Sequence, residues 1–387
     1  MSNANNVLLS YRVESTYGVI PAGNPDLQDV RFTQESLKQA TETVVSEELR
    51  ADEQVPDLIR VGISTSGDLG FEFSYAAFDD WLLAVLKATA WSTVETYSAS
   101  ISFAAADNSI NDAANQFVAE GFVANQWVRL KKATGANAWT ENYAKIVSVA
   151  AGKIVLAGIT LVNESALTVE VEMGAQIVNG TTFRSYTIER KYSDLSNDFA
   201  QYPGTVIDKL SMTIAAKTVT KGSFGVIGKK EVSATATFGD GANTAAPTNP
   251  IMNAVDNVVA LLEANATFSA NQLDFSVARN HRVREIIGLL GAESVGSGTM
   301  DVTGNLRANY ASAAFFNKYL NNTTSSFAVI QRDDLGNAYV VEFVRAKFSD
   351  GSRVGGGKNT DVTAQVAFRA YMHPTEGITM RIARFAA

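Results

Sequence analysis

The stretch Gly67-Asp-Leu-Gly-Phe-Glu-Phe-Ser-Tyr-Ala-Ala-Phe78 carries the pattern of the fold. In it Leu69, Phe71, Phe73 and Tyr75 alternate with Asp68, Gly70, Glu72 and Ser74, the period of a strand with one apolar and one polar face. Behind it Phe78, Trp81, Leu82, Val85 and Leu86 fall at helical spacing. Asp79 and Asp80 sit where a helix N-terminus is positive, so the pattern predicts a helix over Ala77 to Lys87. The same order returns 237 positions later as Gly304-Asn-Leu-Arg-Ala-Asn-Tyr-Ala-Ser-Ala-Ala-Phe315. Gly67, Leu69, Ala76, Ala77, Phe78 and Leu83 face Gly304, Leu306, Ala313, Ala314, Phe315 and Leu320, six identities in 17 ungapped positions. Phe32-Thr33 then matches Phe275-Ser276, Ile188-Glu189-Arg190 matches Ile330-Gln331-Arg332, and Val219-Thr220 matches Val362-Thr363. A chain that repeats strands, a glycine-led strand, one helix and more strands reads as a duplicated β unit.

The two copies are unequal, because the first carries an extra stretch, Tyr97 to Gly180, between its helix and its next strand. Short strands alternate there at Ile101/Phe103, Trp127 to Leu130, Tyr143 to Val149, Lys153 to Leu156 and Val169/Val171/Met173. Thr134-Gly135, Ala151-Gly152 and Asn163-Glu164 supply the turns. A compact β domain, a small sandwich or barrel, is expected, inserted where extra chain costs little closure entropy. The expected division is 1–96 with 181–250 for the first unit, 97–180 for the insert and 251–387 for the second unit. Gly239 to Pro250 reads as a polar linker, and Ile251, Val255, Val258 and Leu262 predict a helix behind Asn249-Pro250.

Composition narrows the function. At 387 residues the chain is long for one core, and with 46% hydrophobic and 19% charged residues it is expected to fold. Lys plus Arg number 32 against 40 Asp plus Glu, a net charge of -8, which argues against a grip on DNA or an acidic membrane surface. The absence of cysteine excludes disulfides, thiolate metal sites and cysteine nucleophiles. The only histidines, His281 and His373, lie near no GxSxG elbow and at no metal spacing. The glycine-rich run Gly222 to Lys230 has five residues between Gly222 and Gly228 where a phosphate loop has four, and no Ser or Thr follows Lys229. Asp107 to Asp112 fails as a calcium loop because Asp112 stands at the glycine position and Val118 at that of the bidentate acid. In the start, MSNANNVLLSYRVESTYG, the basic region and apolar core of a signal peptide are not seen, so secretion by that route is not expected, and Ile146 to Val162 is broken by Gly152-Lys153 into two strands rather than a membrane span. No enzymatic activity, cofactor or metal is expected.

Further stretches carry a family likeness: Val13-Glu-Ser-Thr-Tyr-Gly-Val19, Phe32-Thr-Gln-Glu-Ser-Leu37, Glu42 to Arg50, Val61 to Trp81, Asn179 to Glu189 and Thr379-Met-Arg-Ile-Ala-Arg384. In these the chain resembles the tail tube proteins of long, non-contractile-tailed bacteriophages. The likeness covers nearly the whole chain, including Phe117 to Phe122 in the insert. It implies a mainly β fold, with two tail-tube-type β-sandwich or barrel domains, each with a short flanking helix, and a small inserted β domain on the outer surface. It also implies a strand and a long extended loop where the spacing of Leu37, Thr41, Val44, Val45 and Leu49 suggests a helix.

By the same resemblance the protein is a structural virion component assembled in the host bacterial cytoplasm, stacking as rings into a conduit for genome delivery. Its implied partners are itself, the terminator, distal tail and tape measure proteins, and double-stranded DNA that passes without specific binding; no membrane is involved. Two domains per chain favour a homotrimeric, pseudo-hexameric ring. Alternatives are a hexamer decorated by its second copy, a subunit of a related secretion, injection or surface apparatus, and a β-rich carbohydrate-acting enzyme. Two sets of residues are candidates for this role. Asp68, Glu72 and Ser74, with Asn305, Arg307 and Asn309 in the second copy, are expected to line the lumen as a wall of acids and amides that repels phosphate. Ser46, Glu47, Glu48, Arg50, Asp52 and Glu53, in the charged stretch Val45 to Leu58, are expected to form a loop that meets the next ring.

Overall fold

The computed structural model describes residues 3–309, 314–355, 357–359 and 361–387; Ala313 of the repeat match lies outside them. The first unit opens with β1 (Val7–Val13), the short β2 (Gln28–Asp29) and β3 (Gln34–Glu35), then β4 (Lys38–Val45), β5 (Leu58–Glu72) and helix α1 (Asp79–Leu86). The inserted segment supplies β6 (Glu95–Ala104), β7 (Ser109–Asp112), β8 (Trp127–Lys132), β9 (Glu141–Ala150), β10 (Lys153–Ala157) and β11 (Glu164–Met173). The chain returns through β12 (Ala175–Val178), β13 (Tyr186–Tyr192), the long β14 (Phe199–Ala215), β15 (Lys221–Gly228) and β16 (Val232–Ala234). The second unit begins with β17 (Val258–Glu263), β18 (Ala266–Thr267), β19 (Gln272–Ala278), and the small pair β20 (Arg282–Arg284) and β21 (Ser294–Gly296). It ends with β22 (Asp301–Asn309), helix α2 (Ala314–Leu320), β23 (Thr324–Arg332), the long β24 (Ala338–Val354), β25 (Thr363–Ala370) and β26 (Met380–Phe385).

The order of strand pairing repeats as the sequence does, but one match is corrected: the register puts Leu37 and Lys38, not Phe32 and Thr33, in the places of Phe275 and Ser276. In the first unit the antiparallel path runs β1, β13, β14, β15, β5 and then β3 with β4. In the second it runs β17, β23, β24, β25, β22 and β19. Each long strand serves two sheets, with its first half beside β13 or β23 and its second half beside β15 or β25. Each also loses register at one residue against its partner, Asp208 in β14 and Ser349 in β24. Such an extra residue bends the strand so that it can pass from one layer to the other.

The glycines that lead both copies have a steric reason. A Cβ on Gly304 would stand 2.3 Å from the ring of Phe368, and one on Gly67 2.7 Å from the backbone nitrogen of Leu37. Only hydrogen fits between these packed strands. Above the first copy, α1 buries Trp81, Leu82, Val85 and Leu86. Trp81 meets Phe224 edge-on at 5.2 Å, and Phe224 stacks on Phe71 at 4.9 Å. The helix ends at Lys87 in the left-handed conformation, whose N–H bonds the carbonyls of Ala84 and Leu83. The second copy builds the matching core from Phe275, Phe327, Phe343 and Phe368.

One expected element is corrected: residues 251–262 are not a helix. Asn253 Oδ1 accepts from the N–H groups of Val255 and Asp256, a local turn, and Val258–Glu263 pairs with β23. Four apolar residues at helical spacing are too few to outweigh a β-branched segment that completes a sheet.

The inserted strands close into a barrel in the order β10-β7-β6-β11-β8-β9 around Phe103, Ile110, Phe117, Leu130, Ile146 and Val171. β12 follows it directly but pairs with β26 of the second unit. The barrel's base is seated on that unit too, with Trp127 and Tyr143 sharing a core with Leu262, Ile330, Val340 and Phe385. A buried charge cluster closes the seam. Glu342 accepts from Trp127 Nε1 at 3.0 Å, Lys145 Nζ at 2.5 Å and Arg381 Nη1 at 2.7 Å, while Arg129 pairs with Glu172 and donates to the carbonyl of Gly336.

Removing the carboxylate of such a cluster leaves its cations without a counter-charge, and removing the Trp127 indole opens a cavity under the barrel. Trp127→Ala and Glu342→Gln should therefore each cost about 3–5 kcal/mol in urea unfolding, although Trp127 belongs to the insert and Glu342 to the second unit. A loss below 1 kcal/mol for both would show that the insert is only tethered.

Candidate functional site

The second half of β14 pairs with β19, register running from Lys209 opposite Ala278 to Ala215 opposite Gln272. This joint fuses the inner strands of the two units into one antiparallel sheet of eight positions: β3 with β4, β5, β15, β14, β19, β22, β25 and β24. Its inner side packs on the core, as the alternating burial of β19 and β22 shows.

Most of the residues expected on the polar face lie there. Asp68 is exposed and Glu72 half-buried, and Asn305, Arg307 and Asn309 stand on successive exposed positions of β22. Ser74 is a correction: its exposure is 0%, it accepts a hydrogen bond from Arg31 at 3.0 Å, and its backbone bridges to Ile251. β5 ends at Glu72 and the chain turns inward before α1, so alternation cannot be carried past that point.

A second correction concerns charge. Strands far away in sequence bring Lys38, Lys209, Lys221, Lys347 and Arg369 to the face that holds Asp68, Glu72, Asp274, Asp301 and Asp350. Lys221 is directly opposite Glu72, Arg369 bonds Asp301 at 2.7 Å, and Asp68 and Lys209 flank the bare position of Gly225. The face is therefore polar with interleaved signs rather than acidic. Two-residue alternation shows which residues share a strand face, but only the register shows which strands share a sheet.

Each unit extends an arm between its first two inner strands. In the first, β4 and β5 pair from Lys38 opposite Ser66 to Val45 opposite Leu58. The tip beyond them holds the exposed Glu47, Glu48, Arg50, Asp52 and Glu53 and the half-buried Ser46, with a fork of bonds from Arg50 to Asp52 at 2.9 and 2.7 Å. The arm bares a run of apolar side chains, Val44, Val45, Leu49, Val55, Leu58 and Ile59, with Leu49 at 102% exposure. The second arm, the β20–β21 pair and its loop, bares Ile286 and Ile287. It is tied to the first unit, because Asp208 accepts from the His281 N–H at 2.8 Å and lies 2.9 Å from its Nδ1. Burial works to raise the Asp208 pKa, but the hydrogen bonds from His281 hold it below the usual carboxylate value.

Both arms leave the end of the sheet where β5 and β22 begin. At the opposite end stand Glu72, Asn309 and the start of β15, with the exposed Lys217, Lys221 and Lys358. Both histidines are engaged in hydrogen bonds, His281 with Asp208 of the first unit and His373 locally, its Nδ1 accepting from the N–H of Glu376 at 3.2 Å. Among the described residues no group of His, Asp and Glu could hold a metal ion, and no helix is long and apolar enough to cross a membrane. What the arrangement offers is surface for assembly: two sheet edges, apolar arms at one end and cations at the other.

A family model described as phage tail tube protein matches residues 4–370, and the chain belongs to that family. No curated protein matches it. Membership makes it a structural component of the virion tail that assembles with itself and with other tail proteins.

Proposed function

From membership of the phage tail tube family, we propose that three copies of this chain close into a ring, and that rings stack into the tube through which the genome leaves the virion. The eight-stranded sheet carries this reading. Among the described residues, the outer side of β3 and β4 has no strand partner at one end, and β24 beyond Lys347 pairs with β25 on one side and with no strand on the other. An edge left open at both ends of one sheet is an assembly surface, and head-to-tail joining about a rotation axis closes.

The dimensions favour three chains. Three times eight strands at about 4.8 Å spacing give a circumference of about 115 Å and a diameter of about 37 Å, room for a duplex after side chains are subtracted. Six chains joined through the same sheet would double that width. A hexamer decorated by the second unit fits poorly with the β14–β19 joint, through which strands of both units share one sheet. The units taken to act in the wall are 1–96 with 181–250 and 251–387, with the insert of 97–180 facing outward, since its base packs on β23, β24 and β26 rather than on the polar face.

In this reading Asp68, Glu72, Asn305, Arg307 and Asn309 line the lumen, and interleaved signs leave passing DNA few counterion-releasing contacts. The acidic arm, with five carboxylates against one arginine from Ser46 to Asp57, meets the cationic end of the next ring. Terminator, distal tail and tape measure proteins would cap and fill a tube assembled in the host cytoplasm.

Native mass spectrometry of assembled rings should find three chains, and six would overturn the proposal. Replacing Glu47 to Pro56 by a short Gly/Ser turn should leave rings that do not lengthen, as seen in negative-stain images; normal tubes would remove the arm from stacking. Asp68→Lys with Glu72→Lys adds four charges per chain and should leave assembly intact while DNA release becomes slower and salt-sensitive. Release indistinguishable from the unmodified tube would place both side chains off the lumen.

A further inference from the structure

We infer that in the ring residues 36–40 of one chain pair with residues 350–354 of the next, in the register of the joint already built inside each chain, and that Glu35 and Arg190 cap this edge until the neighbour arrives. The inference rests on the three-chain reading above. Its template is the β14–β19 joint.

Two equivalences transfer that template. On β5, Glu35 lies opposite Leu69 and Lys38 opposite Ser66; on β22, Leu273 lies opposite Leu306 and Ser276 opposite Thr303. Since Leu69 and Leu306 are matched by the repeat, residues 34–40 hold the place of β19, 238 positions earlier. β14 and β24 are matched by their bulges at Asp208 and Ser349, 141 positions apart. Ser211 opposite Ser276 then becomes Ser352 opposite Lys38, Lys209 opposite Ala278 becomes Asp350 opposite Ala40, and Met212 opposite Phe275 becomes Arg353 opposite Leu37. Asp350 falls diagonal to Lys38, within reach of an opposite charge, and no like charges are opposed.

The backbone of Leu37 is the point of contact. In the internal joint, Ala216 N–H donates to the Asn271 carbonyl and Arg279 N–H to that of Asp208, which sets the alternation so that Phe275 points its backbone at β14. At the equivalent Leu37, side chains take those groups instead. Its N–H donates to Glu35 Oε2 at 2.8 Å, and its carbonyl accepts from Arg190 Nη2 at 2.6 Å. Arg190 also bonds Glu35 at 2.6 Å, closing the cap. In β19, where the strand is paired, Leu273 stands in place of Glu35 and cannot accept such a bond. Side chains that occupy the hydrogen-bonding groups of an open edge protect it from unguided pairing.

The chain has no cysteine, so Lys38→Cys with Ser352→Cys introduces the only thiols. Seven strand spacings, about 34 Å, separate them within one chain, whereas across the proposed joint they form a close, non-hydrogen-bonded pair suited to a disulfide. Mild oxidation of assembled rings should give covalent dimers and trimers on non-reducing gels, and the slipped pair Ser36→Cys with Ser352→Cys should give none. Rings that crosslink only through the slipped pair, or through neither, overturn the register and leave the three-chain reading standing. Absence of rings from the unmodified chain in native mass spectrometry overturns both. Glu35→Leu, which copies β19, should speed ring formation about tenfold by removing a charged hydrogen bond from the edge, with Glu35→Gln intermediate. Rates equal to the unmodified chain for both variants would overturn the cap.

Discussion

Backbone N–H and C=O groups at a sheet edge must find partners, and the β14–β19 joint is where this chain satisfies them within itself. Everything else in the architecture is arranged around that pairing. Because both long strands carry a bulge at the same place, each can leave its outer layer and join the inner sheet. The duplication therefore repeats a geometry as well as a pattern of residues, and a sheet built by repetition ends in the same two kinds of edge it has already joined once.

The inner face and the two ends divide the remaining chemistry. The core side of the sheet is filled by aromatic residues whose close approach excludes a side chain at Gly304. The other side carries charges of both signs, interleaved with serines and amides and in places paired, as Arg369 is with Asp301. The insert is packed on the second unit rather than joined to the molecule by its connections alone. Trp127, Tyr143 and the charges around Glu342 bind it to the second unit, although the chain enters and leaves it from the first. A change in the barrel's base is thereby felt in β24, the strand that also supplies an open edge.

Much of this was legible in the residues themselves. The alternation from Leu69 to Phe73, the helix behind Asp79, the strands and turns of the insert, and the repeat that aligns β5 with β22 are all short-range patterns. The failures are equally specific. Ser74 continues the polar period but lies beyond the end of its strand, against Arg31, and Ile251 to Leu262 keeps a helical spacing while its second half completes a sheet. The lysines opposite the lumen candidates carried no signal at all, since nothing local says that Lys38, Lys209 and Lys221 share a face with Asp68.

What the sequence determined by itself was the content of each element: period, turn chemistry and the place of each strand in a repeated order, because these depend on residues within a few positions of one another. Tertiary structure decided which elements became neighbours. The register of β14 against β19, the seat of the barrel on the second unit and the reach of Arg190 to Leu37 and Glu35 all join residues scores of positions apart. Such contacts are selected by the burial and hydrogen bonding of the whole sheet, where a slip of one residue would turn every apolar side chain outward.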